Sequence, residues 1–209
     1  MRTNPYLVLP YVESNMFPPE MCDKIISHGL KHWREHEGKI GDEGDLVNGI
    51  YKNIEYRQAL CREPGHGHGE GNDFENNFIK TLLDRIFEHN NSEHGYNFDL
   101  FGPHEAPMLL EYKNVDGHPG QYKAHLDIGK TFPTSNRKLS YSVHLNYGEY
   151  EGGELEFRPW EDWTPLSIEG KLQKGMMVLF PSYLLHRVTP VTKGIRYSLT
   201  GWVHGDAFQ

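Results

Sequence analysis

His125-Leu126-Asp127 is the segment of this chain best suited to hold a metal. In a strand, side chains at i and i+2 leave the same face, so an imidazole and a carboxylate spaced in this way arrive as a pair on one wall. A third imidazole from a later strand would complete a facial triad. His186, within Leu184-Leu185-His186-Arg187-Val188, is that candidate, because its surroundings also read as strand. Two histidines and one carboxylate on one face leave the opposite positions of an octahedral iron(II) open for a cosubstrate and dioxygen. Taken alone the pair is weak: with 13 His and 29 acidic residues a chance His-x-Asp is easy, and an isolated one is more often a surface feature.

A second group of residues adds weight. Arg196, Ser198, Thr200 and Trp202 alternate with Tyr197, Leu199 and Val203, so a mostly polar stripe backs onto an apolar one. That pattern describes a pocket wall better than a solvent face. Arginine binds a carboxylate bidentately and serine adds a donor. The stripe therefore suits a dicarboxylate whose far end meets Arg196 while its near end chelates the metal; the plainer alternative is a surface arginine on an edge strand.

Which elements would hold these residues? From Pro107 onward, short apolar or alternating stretches are separated by Gly, Pro, Asn and Asp, the signature of a sandwich or barrel. Strands are expected at Met108–Tyr112, Gln121–Ile128, Leu139–Asn146, Glu154–Arg158, Leu166–Ile168, Met176–Phe180, Leu185–Pro190 and Ile195–Val203. They suggest a double-sheet roll with its helices packed outside. One helix should start at Pro18-Pro19 and run to about Trp33. A second should run from about Asp73 to Glu88, opened by Asn72 with Glu75 as a capping box. Between them, Arg34 to Gly71 reads as a long loop with one short strand near Asn48 to Arg57. It ends in a glycine-rich tract whose His66 and His68 lack orientation for a metal site. That loop and Gly129–Lys138 should frame the opening. The fold class is thus α+β, mainly β, and no linker cuts the 209 residues into independent units: 1–106 form helical support and loop, 107–204 the β core.

Composition narrows the partners. The formal net charge is −8 and the pI about 5.9, which gives no uniform positive field for nucleic acid. Cys22 and Cys61 form no Cys-x-x-Cys pair and are expected as idle thiols. No run approaches a membrane span or a signal-peptide core, so the expectation is a cytoplasmic protein without a membrane partner. The sequence is silent on oligomeric state.

Four segments in order resemble one family: Tyr122-Lys-Ala-His125-Leu-Asp127, Leu139-Ser-Tyr-Ser-Val-His-Leu-Asn146, Tyr150-Glu-Gly-Gly-Glu-Leu-Glu-Phe157, and Phe180 through His186 to Arg196-Tyr-Ser198. The chain is similar to the iron(II)- and 2-oxoglutarate-dependent dioxygenases, in particular the prolyl-4-hydroxylase-like branch of short bacterial and phage proteins. The resemblance implies a double-stranded β-helix, a jelly roll of the cupin-like kind, behind N-terminal supporting helices. It implies that His125, Asp127 and His186 bind Fe(II) and that Arg196 pairs with the distal carboxylate of 2-oxoglutarate. Ser198, Thr200 and Trp202 would line that pocket, Tyr112 would contact the cosubstrate, and Tyr122 would stand by the substrate opening. The implied reaction hydroxylates an unactivated C–H bond, for preference a prolyl residue of a protein or peptide, using O2 and releasing succinate and CO2; ascorbate is an accompanying reductant. The alternatives are a small-molecule hydroxylase acting on a free amino acid and a cupin-like metal-binding module without turnover. Nucleobase demethylation is disfavoured because Trp202 stands where a second arginine is expected. Gly152-Gly153 reads as a turn, His144 as a packed or exposed histidine and not a ligand, and Trp160 and Trp163 as rim or plug residues.

Overall fold

A computed structural model describes residues 5–39, 53–64, 73–165 and 172–206. Their strands are β1 (Tyr11–Glu13), β2 (Arg34–Glu37), β3 (Arg57–Gln58), β4 (Leu60–Glu63), β5 (Leu100–Gly102), β6 (Met108–Tyr112), β7 (Gln121–His125), β8 (Arg137–His144), β9 (Glu151–Gly152), β10 (Leu155–Phe157), β11 (Thr164–Pro165), β12 (Met177–Pro181), β13 (His186–Val188), β14 (Val191–Lys193) and β15 (Arg196–Gly205). The helices are α1 (Pro19–His32) and α2 (Asp73–Asn90).

Two antiparallel sheets carry the architecture. The larger has the order β1-β12-β8-β15-β6-β4-β2, with β5 pairing on β15; the smaller runs β11-β10-β13-β7-β3. Alternation along the strands sorts side chains to two faces. On β8, Leu139, Tyr141 and Val143 enter a core beneath the helices, while Ser140, Ser142 and His144 take the other face. On β12, Met177 and Leu179 join that helix-side core, and Val178 and Phe180 join a second core between the sheets with Leu110, Tyr112, Leu155, Phe157 and Val188. Both cores are apolar and buried, so the large sheet is stabilised from two sides. The arrangement is the double-stranded β-helix.

Each helix is amphipathic for a readable reason. Pro19 opens α1, where its missing N–H costs nothing, and Cys22, Ile25 and Gly29 face inward. Gly29 permits close approach: a Cβ there would lie 2.7 Å from Leu109 Cδ2. Phe78, Leu82 and Ile86 form the stripe of α2, each side chain contributing about 1.5–3 kcal/mol by leaving water. Glu75 ties the helices together, accepting hydrogen bonds from Trp33 Nε1 and His28 Nε2, each at 2.9 Å. The second helix runs past the expected Glu88 to Asn90, whose carboxamide bonds both backbone groups of Phe98.

The stretch read as a loop differs most from expectation. Among its described residues it holds β2, β3 and β4, of which β2 and β4 extend the large sheet, and positions 48–52 of the expected short strand lie outside the described residues. Arg62 of β4 explains the recruitment, since its guanidinium bonds Glu111 of β6 at 2.8 Å and also Glu35 of β2. With β1 and β5 also in the sheet, residues before 107 supply strands as well as support. Of the expected strands from 107 onward, Met108–Tyr112 is found with the same bounds and the others, except Leu166–Ile168, with shifted ends. That segment, His66, His68 and Asn72 lie outside the described residues. Among the described residues no helix is long and apolar enough to cross a membrane.

Candidate metal and cosubstrate site

Pairing of β7 with β13 puts His186 opposite His125. Asp127 follows β7 and is held by three contacts: its N–H donates to Ser182 O at 2.9 Å, Arg137 Nη1 donates to its carbonyl at 2.9 Å, and the Ser140 hydroxyl donates to its carboxylate. Nε2 of His125 lies 3.6 Å from Asp127 Oδ1, and Nε2 of His186 lies 3.6 Å from Oδ2. Ligand atoms of the three residues all fall within 4.8 Å of one another. Two ligands at right angles, each about 2.1 Å from a divalent ion, stand about 3 Å apart, so this triangle needs only a small contraction.

The second nitrogens decide the ring states. His125 Nδ1 donates to Lys123 O at 2.7 Å and His186 Nδ1 to Leu184 O at 2.9 Å, since a carbonyl can only accept. In a neutral ring so bonded, Nε2 carries the lone pair that a metal ligand must present. Burial, reinforced by His186, pushes the His125 imidazole down to about 3. Burial raises Asp127, but His186, His125 and Arg137 outweigh it and hold the carboxyl at about 2. Two lone pairs facing a carboxylate repel one another unless a cation sits between them, and so the donor set fits Fe(II).

A cavity of about 1560 Å³ opens from these residues and includes Tyr112, Tyr122, Arg196, Ser198, Thr200 and Trp202. Arg196 is 1% exposed, its Nη1 donates to Ser198 Oγ at 3.1 Å, and no carboxylate forms an ion pair with it among the described residues. A desolvated guanidinium without a counter-ion costs several kcal/mol, which an incoming carboxylate would offset. Gly153 makes room for it. At φ +65° a Cβ there would stand 3.0 Å from Arg196 Cδ, a requirement beyond the turn expected of Gly152-Gly153.

The remaining expected residues occupy distinct places. Tyr112 is fully buried between Arg196 and Arg57, and burial raises its hydroxyl against the pull of both cations. Tyr122 stacks on His125 with ring centroids 3.5 Å apart. Residues Gly129 to Thr134 line the cavity as expected of a rim, whereas Trp160 is 73% exposed and Trp163 lies under the Arg187 guanidinium. One residue of the cavity was not singled out from the sequence: Arg57, at the end of the expected short strand, stacks over Tyr122 at 4.5 Å. His144 is buried, the packed one of the two states expected of it.

Residues 107–204 match the sequence profile of the 2OG-Fe(II) oxygenase superfamily. A PKHD-type hydroxylase of Hyphomonas neptunium is 39% identical over 103 residues, 47% of this chain and 42% of that protein. Another from Acidovorax ebreus is 38% identical over 91 residues, 40% of this chain and 38% of that protein. The matched stretch thus spans less than half the length of these relatives. Among solved structures, a Pseudomonas putida prolyl-4-hydroxylase superposes with TM-score 0.64 at 18% identity, covering 95% of this chain and 93% of the other. A Trichoplax adhaerens prolyl hydroxylase, solved with a hypoxia-inducible-factor peptide, gives 0.69 at 17%, covering 93% and 83%. Identities this low establish the fold. The chain thus has the fold of the prolyl-4-hydroxylases, and its residues 107–204, just under half of its length, are similar in sequence to the 2OG-Fe(II) oxygenase superfamily.

Proposed function

We propose that the chain is an Fe(II)- and 2-oxoglutarate-dependent dioxygenase that hydroxylates an unactivated C–H bond, most readily that of a prolyl residue in a protein or peptide. The observation that carries this reading is the convergence of His125, Asp127 and His186 in one cavity with a buried arginine that forms no ion pair among the described residues. His125, Asp127 and His186 would hold the iron, which when bound supplies the redox chemistry coupling decarboxylation of 2-oxoglutarate to oxygen insertion. The chain's own part is placement. Arg196 and Ser198 would bind the distal carboxylate, Tyr112, Thr200 and Trp202 would enclose the cosubstrate, and Tyr122 would set the substrate against His125. The apolar inter-sheet core, with Phe157 and Phe180 against the His186 ring, excludes water from one side of the site.

The cavity exceeds the roughly 300–1000 Å³ of ordinary small-molecule pockets, which supports an extended substrate. A free amino acid is the rival reading, and Arg57 favours it, because this cation on the cavity wall has no carboxylate partner among the described residues and would accept one. The test is mass spectrometry of prolyl peptides and free amino acids incubated with the Fe(II)-loaded chain, 2-oxoglutarate and air, with Asp127→Ala as control. Gain of one oxygen on peptides, matched by succinate, is expected. Gain on free amino acids alone would select the rival, and no succinate under any condition would leave a non-catalytic metal-binding module.

A further inference from the structure

Six large hydrophobic side chains stand exposed among the described residues, and three of them, Phe101, Leu126 and Phe132, gather at the cavity. Leu126 and Phe132 line it, and Phe101 joins them through His104, which also lines it. The His104 ring stands edge-on to both phenyl rings, 5.1 Å from Phe101 and 5.0 Å from Phe132. Single exposed hydrophobics need no explanation, but a contiguous group on the border of a cavity marks a binding surface.

The fold does not require these rings where they are. Phe132, 61% exposed, sits in a loop closed by its own backbone: Gly129 N–H donates to Thr134 O at 3.2 Å and Ser135 N–H to Thr131 O at 2.8 Å. Burial of the ring is therefore not what shapes the loop. Asn136 Nδ2 ties its end to Gly205 O of β15 at 3.0 Å. On the other side, the His104 N–H donates to His204 Nδ1 at 3.1 Å, and His204 Nε2 donates to Glu105 at 3.0 Å. Glu105 in turn holds Arg137, which reaches Asp127 O. These bonds set the rings in a fixed place relative to the metal ligands. Leu126, between His125 and Asp127 in the chain, carries the apolar wall inward from the rim to the ligands.

We infer that Phe101, His104 and Phe132 form a subsite for an apolar side chain of the substrate, a Leu or Phe near the hydroxylated residue, an assignment that rests on the reading of the substrate as a peptide. Phe132 follows Asp127 by five residues, so their Cα atoms lie within about 18 Å, the span of about five extended residues. A peptide held at the metal and extending on this side carries its neighbouring side chains past the rim. A free amino acid has none to offer.

The test is calorimetric titration of the full chain, loaded with Zn(II) and 2-oxoglutarate, with proline-centred peptides of about eleven residues. Zn(II) takes the same ligand types without redox turnover. The peptides are otherwise Ser and Gly, and one Leu is moved through the positions on either side of the proline. Leu at one offset, on one side only, should tighten binding by about ten- to a hundredfold over the all-polar peptide, the gain from burying one such side chain. Phe132→Ser should bring that ratio to within about twofold of one, and Phe132→Leu, which keeps an apolar surface, should retain most of it. Both variants alter an exposed side chain and the ratio is taken within each protein, so a general loss of stability or metal does not mimic the result. Equal binding of Leu and all-polar peptides overturns the inference and leaves the peptide reading intact. A Leu gain that survives Phe132→Ser also overturns it. No binding of any peptide overturns the peptide reading and the inference with it. Sedimentation of a wild-type dimer that Phe132→Ser dissociates would assign the rings to a second copy of the chain, again overturning the inference.

Discussion

A neutral imidazole binds a metal only through the nitrogen that carries no proton, so the hydrogen bond at the other nitrogen matters as much as the ligand itself. Lys123 O and Leu184 O fix that choice for His125 and His186, and the contact from Arg137 fixes the chain at Asp127. Arg137 also lies over Trp202 at 3.5 Å and bonds Glu105, so several partners hold it in place. Arg137→Met should therefore weaken divalent-metal affinity by about 10–100-fold, the usual cost of losing an outer-shell partner, as read by competition with a chromophoric chelator. Arg196→Met should act elsewhere. It removes charge-assisted hydrogen bonds worth about 1.5–3 kcal/mol each, so 2-oxoglutarate affinity should fall about a hundredfold while metal affinity stays unchanged. A variant that loses metal and keeps cosubstrate would refute the division of labour.

Elements differ in how far their residues announce them. β8 and β15, the second of which carries Arg196, were legible because polar and apolar residues alternate along them, where one face must be apolar. β2, β3 and β4 were not, because charged residues interrupt them and one buried ion pair stabilises the join: Arg62 and Glu111 are 8% and 3% exposed. Local pattern cannot reveal a pair whose partners are remote in the chain, and Arg57, carried on β3, was hidden for the same reason. The pair has a measurable signature. Burial raises Glu111, but hydrogen bonds from Lys113 and Arg62 outweigh it and leave its carboxyl below the ordinary value. A depressed carboxyl contributes stability that is present above its unfolded value of about 4.3 and lost as pH falls through the lower folded value. Glu111→Gln should therefore flatten the acid limb of a pH–stability profile. It should also cost about 3–5 kcal/mol at neutral pH by leaving Arg62 buried without its inner partner, an effect that denaturant unfolding would read.

At the scale of the molecule, two apolar cores share one sheet and serve different ends. The helix-side core, built from α1, α2 and the outer faces of β8, β12 and β15, touches none of the metal-binding candidates; the inter-sheet core packs directly on His186. Damage to the first should thus lower stability without reshaping the site. Phe78 is the sharpest probe, being 1% exposed and in ring contact with Phe17, Trp33 and Phe74. Phe78→Ala should cost about 3–5 kcal/mol in urea unfolding while 2-oxoglutarate affinity, measured well below the midpoint, stays within about twofold of wild type. The same experiment tests whether the chain is one domain. Because β1, β2, β4 and β5 are hydrogen-bonded into the sheet that holds Arg196, helices and barrel should unfold in a single transition that coincides by far-UV circular dichroism and tryptophan fluorescence. Two separated transitions, with Phe78→Ala moving only the earlier one, would show that the residues before 107 form a detachable support.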